Sequence, residues 1–164
     1  MNALVRDHLA ATSFAEYQAL RGELTDVLVD ADLAFRPAGA LSLGELCREM
    51  GDVERSYVDA LRTFRQQFDW RNPDPEVEGS VARLAGWYAE LDRELLAALE
   101  GLSENDTAAR RIARCDFDPG DFLPLPMENL DVYREALLIF YGKVSMYLRA
   151  LGKDLPGHWG HWIG

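Results

Sequence analysis

Three groups of side chains in this sequence could do chemistry. The C-terminal stretch GHWGHWIG, residues 157–164, places His158 and His161 three residues apart, near enough to share one divalent ion. The remaining histidine is His8, so Asp or Glu would have to complete such a site. The competing role for this tail is packing, because Trp159, Trp162 and Ile163 would cover the fold or a partner rather than stay in water. The two cysteines form the second group. Cys115 follows Arg110, Arg111 and Arg114, cations that would lower the pKa of an exposed thiol, but no histidine is nearby in sequence to act as its base. Cys47 adjoins an apolar helical stripe, where a thiol behaves as a small buried hydrophobe. The third group is Glu49 with Tyr133, Tyr141 and Tyr147. Glu49 lies about 60° from the centre of its helix's apolar stripe at roughly 100° per residue. A carboxylate partly desolvated there could serve as general acid or base, and the alternative is a solvated flank residue paired with Arg48, Arg55 or a neighbouring helix. The tyrosines would either present hydroxyls to a ligand pocket or pack as core aromatics with satisfied tips.

Helical periodicity positions Cys47, Glu49 and the three tyrosines. From Ser42 to Phe68, Leu46, Met50, Val53, Tyr57, Leu61, Phe64 and Phe68 recur at steps of three and four, and Ser42 with Glu45 makes a capping box. Val77, Val81, Leu84, Tyr88, Leu91, Leu95, Leu99 and Leu102 form a second stripe, which Gly101 is placed to end in a left-handed conformation. Pro73 and Pro75 punctuate a short connection before it. A third stripe runs from about Met127 to Leu151, closed by Gly152, and its all-apolar run Ala136 to Tyr141 predicts the most buried helix. Phe14, Tyr17, Leu20, Leu24 and Leu28 outline a further helix, with Ser13 and Glu16 as a second capping box and residues 2–11 as a short helix or an extension. Residues 103–126 contain Pro119, Gly120, Pro124 and Pro126 and read as a long crossover. The expected fold is all-α, a four-helix bundle with a long crossover before the fourth helix, built as one domain over residues 1–164.

Composition agrees with one domain and excludes several functions. The chain has 164 residues, 48% hydrophobic and 27% charged, enough for a real core. Its 17 Lys and Arg against 28 Asp and Glu give a net charge of -11, which repels nucleic-acid backbones. Two cysteines are too few for a disulfide framework and point to a reducing, cytoplasmic setting. Arg6, Asp7 and His8 interrupt the stretch where a signal peptide would be apolar, and no run of about 18 apolar residues predicts a membrane span.

The segments SLGELCREMGDVE, residues 42–54, and EALLIFYGKVSMYLRALGKDLP, residues 135–156, carry a likeness to a known family. With the Leu33, Phe35, Arg36, Pro37 segment before the first of them and the WYAELD run between them, the chain resembles the DinB/YfiT-like superfamily over most of its length. That resemblance implies a four-helix bundle, often a homodimer, holding a divalent ion of Zn or Ni type on one histidine of the second helix and an HxxxH pair of the fourth. Relatives of this kind include mycothiol-dependent maleylpyruvate isomerase and bacillithiol transferases. Aligned on these motifs, Glu49 stands where the first histidine would be, and Ala136 and Phe140 stand where the HxxxH pair would be. Alanine and phenylalanine cannot ligate a metal, so loss of the family ion, and no cofactor in its place, is expected. Lys143 replaces a family glutamine, and an ion pair between Glu49 and Lys143 in place of the metal is the sharpest structural expectation. The functional expectation is a DinB-like protein with a degenerate site that retains a small-molecule pocket, with Glu49, Lys143 and Tyr141 as candidate site residues. Its rivals are a thiol-dependent S-transferase or isomerase and a non-catalytic protein of a stress or damage response.

Overall fold

The computed structural model describes residues 1–115 and 122–160 of the chain. In chain order these form α1 (Ala3–Ala11), α2 (Phe14–Val27), α3 (Asp30–Leu33), α4 (Leu43–Thr63), β1 (Arg65–Gln66), a 3-10 turn (Pro75–Glu78), α5 (Val81–Glu100), α6 (Glu104–Ala109), β2 (Ala113–Arg114) and α7 (Pro126–Ala150). The fold is all-α. The long helices α2, α5, α4 and α7 pack in that cyclic order, each against its two neighbours, to make the four-helix bundle.

Local chemistry sets the helix ends. Ser42 Oγ accepts the Glu45 backbone N–H, and the Glu45 carboxylate accepts the Ser42 N–H at 2.7 Å, so both orphan donors at the start of α4 are satisfied. Arg36 fixes the same carboxylate at 2.6 Å. Gly44, in the first turn, lies against the 3-10 turn so closely that an added Cβ would sit 1.9 Å from the Glu78 carbonyl oxygen. The residues before α7 use a similar device, with the Leu125 N–H donating to Glu128 at 2.7 Å. Gly152 closes α7 with a left-handed φ of 70°.

Several sequence expectations are corrected. The second capping box does not form, because Ser13 itself takes a left-handed φ of 50° at the turn between α1 and α2 and its side chain caps nothing. The helix expected to reach Phe68 stops at Thr63, where Phe64 adopts φ 59° and releases the chain into β1. That strand pairs in parallel with β2, a two-residue bridge too short to show as alternation in the sequence. The connection to the next helix is accordingly long, and α5 starts at Val81 with Ser80 as its cap. Gly101 ends α5 in a right-handed conformation, φ -74°, so its glycine character is not what stops the helix. The crossover contains α6 and β2, while Pro119 and Gly120 lie outside the described residues. Nor is α7 buried all round: Ile139, in the apolar run, is 61% exposed.

Beyond α7 the tail returns to the bundle. Trp159 is fully buried against Tyr141, with ring centroids 4.9 Å apart, and its indole N–H donates to the Leu20 carbonyl at 2.9 Å. The packing role expected of Trp159 is therefore observed, while His161, Trp162 and Ile163 lie outside the described residues. Among the described residues no helix is long and apolar enough to cross a membrane.

Candidate functional site

Matching turns of α4 and α7 meet at a depression of about 150 Å³ on the bundle surface. From α4 come Leu46, Glu49, Met50 and Val53, and from α7 come Ala136, Ile139, Phe140 and Lys143. Each set has the spacing i, i+3, i+4, i+7 that lines one helix face. The two helices pack directly, so residues nearly ninety positions apart in sequence share one wall. Phe140 is 3% exposed and Met50 4%, and these make the apolar floor. Glu49 and Lys143 are exposed.

The expected ion pair is not formed. Glu49 and Lys143 line the same depression, but their charged groups make no salt bridge with each other or with any other side chain among the described residues. The arginines that offered Glu49 an alternative are engaged elsewhere. Arg48 pairs with Glu78 and Asp52, and Arg55 pairs with Asp59 and Glu94 at 3.1 Å each. Two solvated, flexible side chains gain little by closing on each other, so the charges remain at the edge of the depression, available to a third party.

The divalent ion that the resemblance implies does not fit this donor set. Glu49 supplies the one carboxylate of the depression, Lys143 adds a positive charge, and Ala136 and Phe140 present only carbon. No group of three or more His, Cys, Asp or Glu side chains among the described residues is arranged to hold a metal ion. His158 donates its ring toward Glu23 on α2 at 2.5 Å, and His8 sits 3.1 Å from Asp131 on α7. These two histidines therefore serve separate carboxylates.

Tyr141 is not part of the depression. It lies one residue past Phe140, about 100° further round the helix. Its hydroxyl donates to the Tyr17 carbonyl on α2 and its ring packs on Trp159. Burial raises its phenol pKa well above the ordinary value. Tyr147 likewise spends its hydroxyl on the Leu41 carbonyl, at 2.8 Å. Cys47 is buried, and that burial pushes its thiol up to about 12, so it is inert at neutral pH. Cys115 is exposed just after β2. Its neighbouring arginines turn to other partners: Arg110 lies over the Phe64 ring at 3.6 Å, Arg111 donates to the Leu123 carbonyl, and Arg114 reaches Asn129.

A buried charge network among the described residues was not anticipated. Arg21 of α2, 1% exposed, forms an ion pair with Glu54 of α4, which is 0% exposed, across the centre of the bundle. Its other terminal nitrogen lies 2.6 Å from Asp92 of α5, which also accepts from Gln18 at 2.6 Å. The Tyr88 ring stacks beneath the guanidinium, 4.3 Å from its carbon. Burial pushes the Glu54 carboxyl up against the opposing pull of Arg21, and Asp92 is raised for the same reason. Burial alone would lower the Arg21 pKa, but Glu54 and Asp92 hold it above its ordinary value. Burial, and then the negative charge of Glu54, raises the Tyr133 phenol. Arg21 Nε and Glu54 Oε1 nevertheless lack hydrogen-bond partners. The signal for this network was present in the sequence. Phe14, Tyr17, Arg21, Leu24 and Leu28 step three and four as regularly as a stripe through Leu20, and Cys47, Met50, Glu54, Tyr57 and Leu61 do the same.

No family model matches the chain, and no curated protein matches it.

Proposed function

We propose that the chain is a DinB-like helical bundle that binds a small molecule in the depression between α4 and α7, without the metal of that family. Glu49 and Lys143 would recognise a ligand that carries both an ammonium and a carboxylate, while Met50 and Phe140 receive its apolar part. The observation that carries this reading is the convergence of Glu49, Ala136, Phe140 and Lys143 on one depression from two distant helices. The three positions at which the resemblance puts metal ligands are thus brought together, with Glu49 among them unpaired and the unpaired Lys143 beside them. A cytoplasmic homodimer is the setting that belongs to this reading.

Zwitterionic low-molecular-weight thiols are the probes to use. Cysteine and glutathione should raise the melting temperature of the purified protein, since a ligand of the folded state stabilises it. Both Glu49→Gln and Lys143→Met should abolish the shift. Elemental analysis should find no stoichiometric metal, and bound metal that resists mild chelation would overturn the reading, as would a shift that survives both substitutions. One observation favours a second reading, a thiol-dependent transferase or isomerase: the Lys143 ammonium has no carboxylate partner and would favour the thiolate of a thiol bound beside it. Consumption of glutathione with an electrophile, lost in Lys143→Met, would establish that activity.

A further inference from the structure

A second and larger concavity lies on a different face, where α1 and the start of α2 meet α5. The turn through Thr12 and the left-handed Ser13 redirects the chain between α1 and α2. α1 is tied at its start to the end of α5 and to α6, and further along to α7. Asn2 donates to the Leu102 carbonyl and to Thr107 of α6, and His8 reaches Asp131 of α7. Between these attachments and α5 a groove of about 510 Å³ remains, within the range of small-molecule sites.

Its lining is one-sided. Leu9, Phe14, Leu95, Leu96 and Leu99 make the walls, and Ala10 and Ala15 keep them low. Leu96 is 46% exposed, so apolar surface here is open to solvent. The polar groups gather at one end. Asp92 places one carboxylate oxygen on Arg21 and Gln18, both at 2.6 Å, and its side chain stays 38% exposed. Arg93, beside it, is exposed and bonds only the Ala89 carbonyl of its own helix, at 3.3 Å; no carboxylate pairs with it among the described residues. Arg93 therefore sets a guanidinium that no acid of the described residues engages at the end of an apolar groove, in the geometry that a carboxylate can meet with two hydrogen bonds.

We propose that this groove binds a free medium-chain aliphatic carboxylate, its chain along Leu95, Leu96 and Leu99 and its carboxylate on Arg93. The site is separate from the depression between α4 and α7 and stands or falls independently of it. A guanidinium is matched to a carboxylate by two parallel N–H donors, whereas the apolar walls accept a methylene chain of any head group. The two contributions can therefore be measured apart.

Isothermal titration with sodium decanoate, kept well below its micelle concentration, should show one site per chain. Arg93→Gln should weaken decanoate by roughly tenfold or more, the size of one hydrogen bond to a charged group, while leaving decanol unchanged. Leu96→Glu should abolish binding of both, and circular dichroism should show its fold intact because the position is half open. Glu49→Gln should leave decanoate binding as it is, which separates this site from the other. The proposal is overturned if decanoate gives no saturable heat, if Arg93→Gln binds it as well as the parent, or if sedimentation shows a dimer that Leu96→Glu dissociates. In the last case the groove belongs to a second copy of the chain.

Discussion

Two of the places where the chain sets opposite charges near each other are treated in opposite ways. At the bundle centre Arg21, Glu54 and Asp92 are drawn into contact, with both Arg21 and Glu54 removed from water. At the surface Glu49 and Lys143 flank one depression and stay apart. The difference follows from desolvation. A buried guanidinium has no water to fall back on, so its partners must come from the protein, whereas exposed ions keep their hydration and gain little from closing. Charge that is paired inside serves the fold. Charge left unpaired at the rim of a concavity is available to a ligand, and on that ground the depression rather than the central network is the functional candidate.

This contrast can be broken most severely from the inside. Glu54→Ala leaves Arg21 buried without its main counter-ion and should cost about 3–5 kcal/mol in urea denaturation. The double substitution Arg21→Met with Glu54→Leu should recover most of that loss, because an apolar pair removes the unpartnered Arg21 Nε and Glu54 Oε1 together, while Asp92 keeps the bond from Gln18. If the double variant is as unstable as the single one, the network holds the fold by more than pairing. Asp92→Ala is the intermediate case. Its side chain is 38% exposed, so solvent takes over part of its role and the loss should be about 1 kcal/mol by the same measurement.

A surface pair sharpens the comparison by its pH dependence. The hydrogen bond from His158 lowers Glu23, and the same bond raises His158. Stability from the lowered Glu23 is full above its ordinary value of 4.5 and is lost as pH falls through the depressed one. Stability from the raised His158 is full below its ordinary 6.5 and is lost as pH rises through the elevated one. The tail is accordingly held most firmly between those two values. An NMR titration of the His158 ring should show an elevated midpoint that falls back in Glu23→Gln, and an unchanged midpoint would remove the pair. The smallest stability effect belongs to the surface: Glu49→Gln and Lys143→Met should each leave the urea midpoint within about 0.5 kcal/mol of the parent while removing thiol binding. A large loss from either would show that the depression is part of the packing.

The helices were legible because their signals are local. The Ser42 and Glu45 box, the stripe down α4 and the Gly152 stop each depend on residues within one or two turns. What was hidden depends on contacts between distant segments. The stripe through Leu20 reads as well as one through Arg21, and nothing local says that Glu54 waits on another helix to receive the guanidinium. Phe64 and Ser13 in left-handed conformations were missed because neither residue type favours one, and tertiary packing has to hold them there. The depression was half legible. Aligning Glu49, Ala136, Phe140 and Lys143 as one site anticipated their meeting, but whether two solvated charges touch is decided by side-chain freedom, on which spacing is silent.

The bridge between β1 and β2 has a consequence in time. Helices close over three or four residues, whereas the Ala113 N–H reaching Phe64 and the Cys115 N–H reaching Gln66 close a loop roughly fifty residues long, an entropic cost met only after both ends are already held. The bridge should be the last element to form and the first to open. In native-state hydrogen exchange the amides of Ala113 and Cys115 would then exchange through a local opening, while those at the centre of α4 wait for the whole molecule.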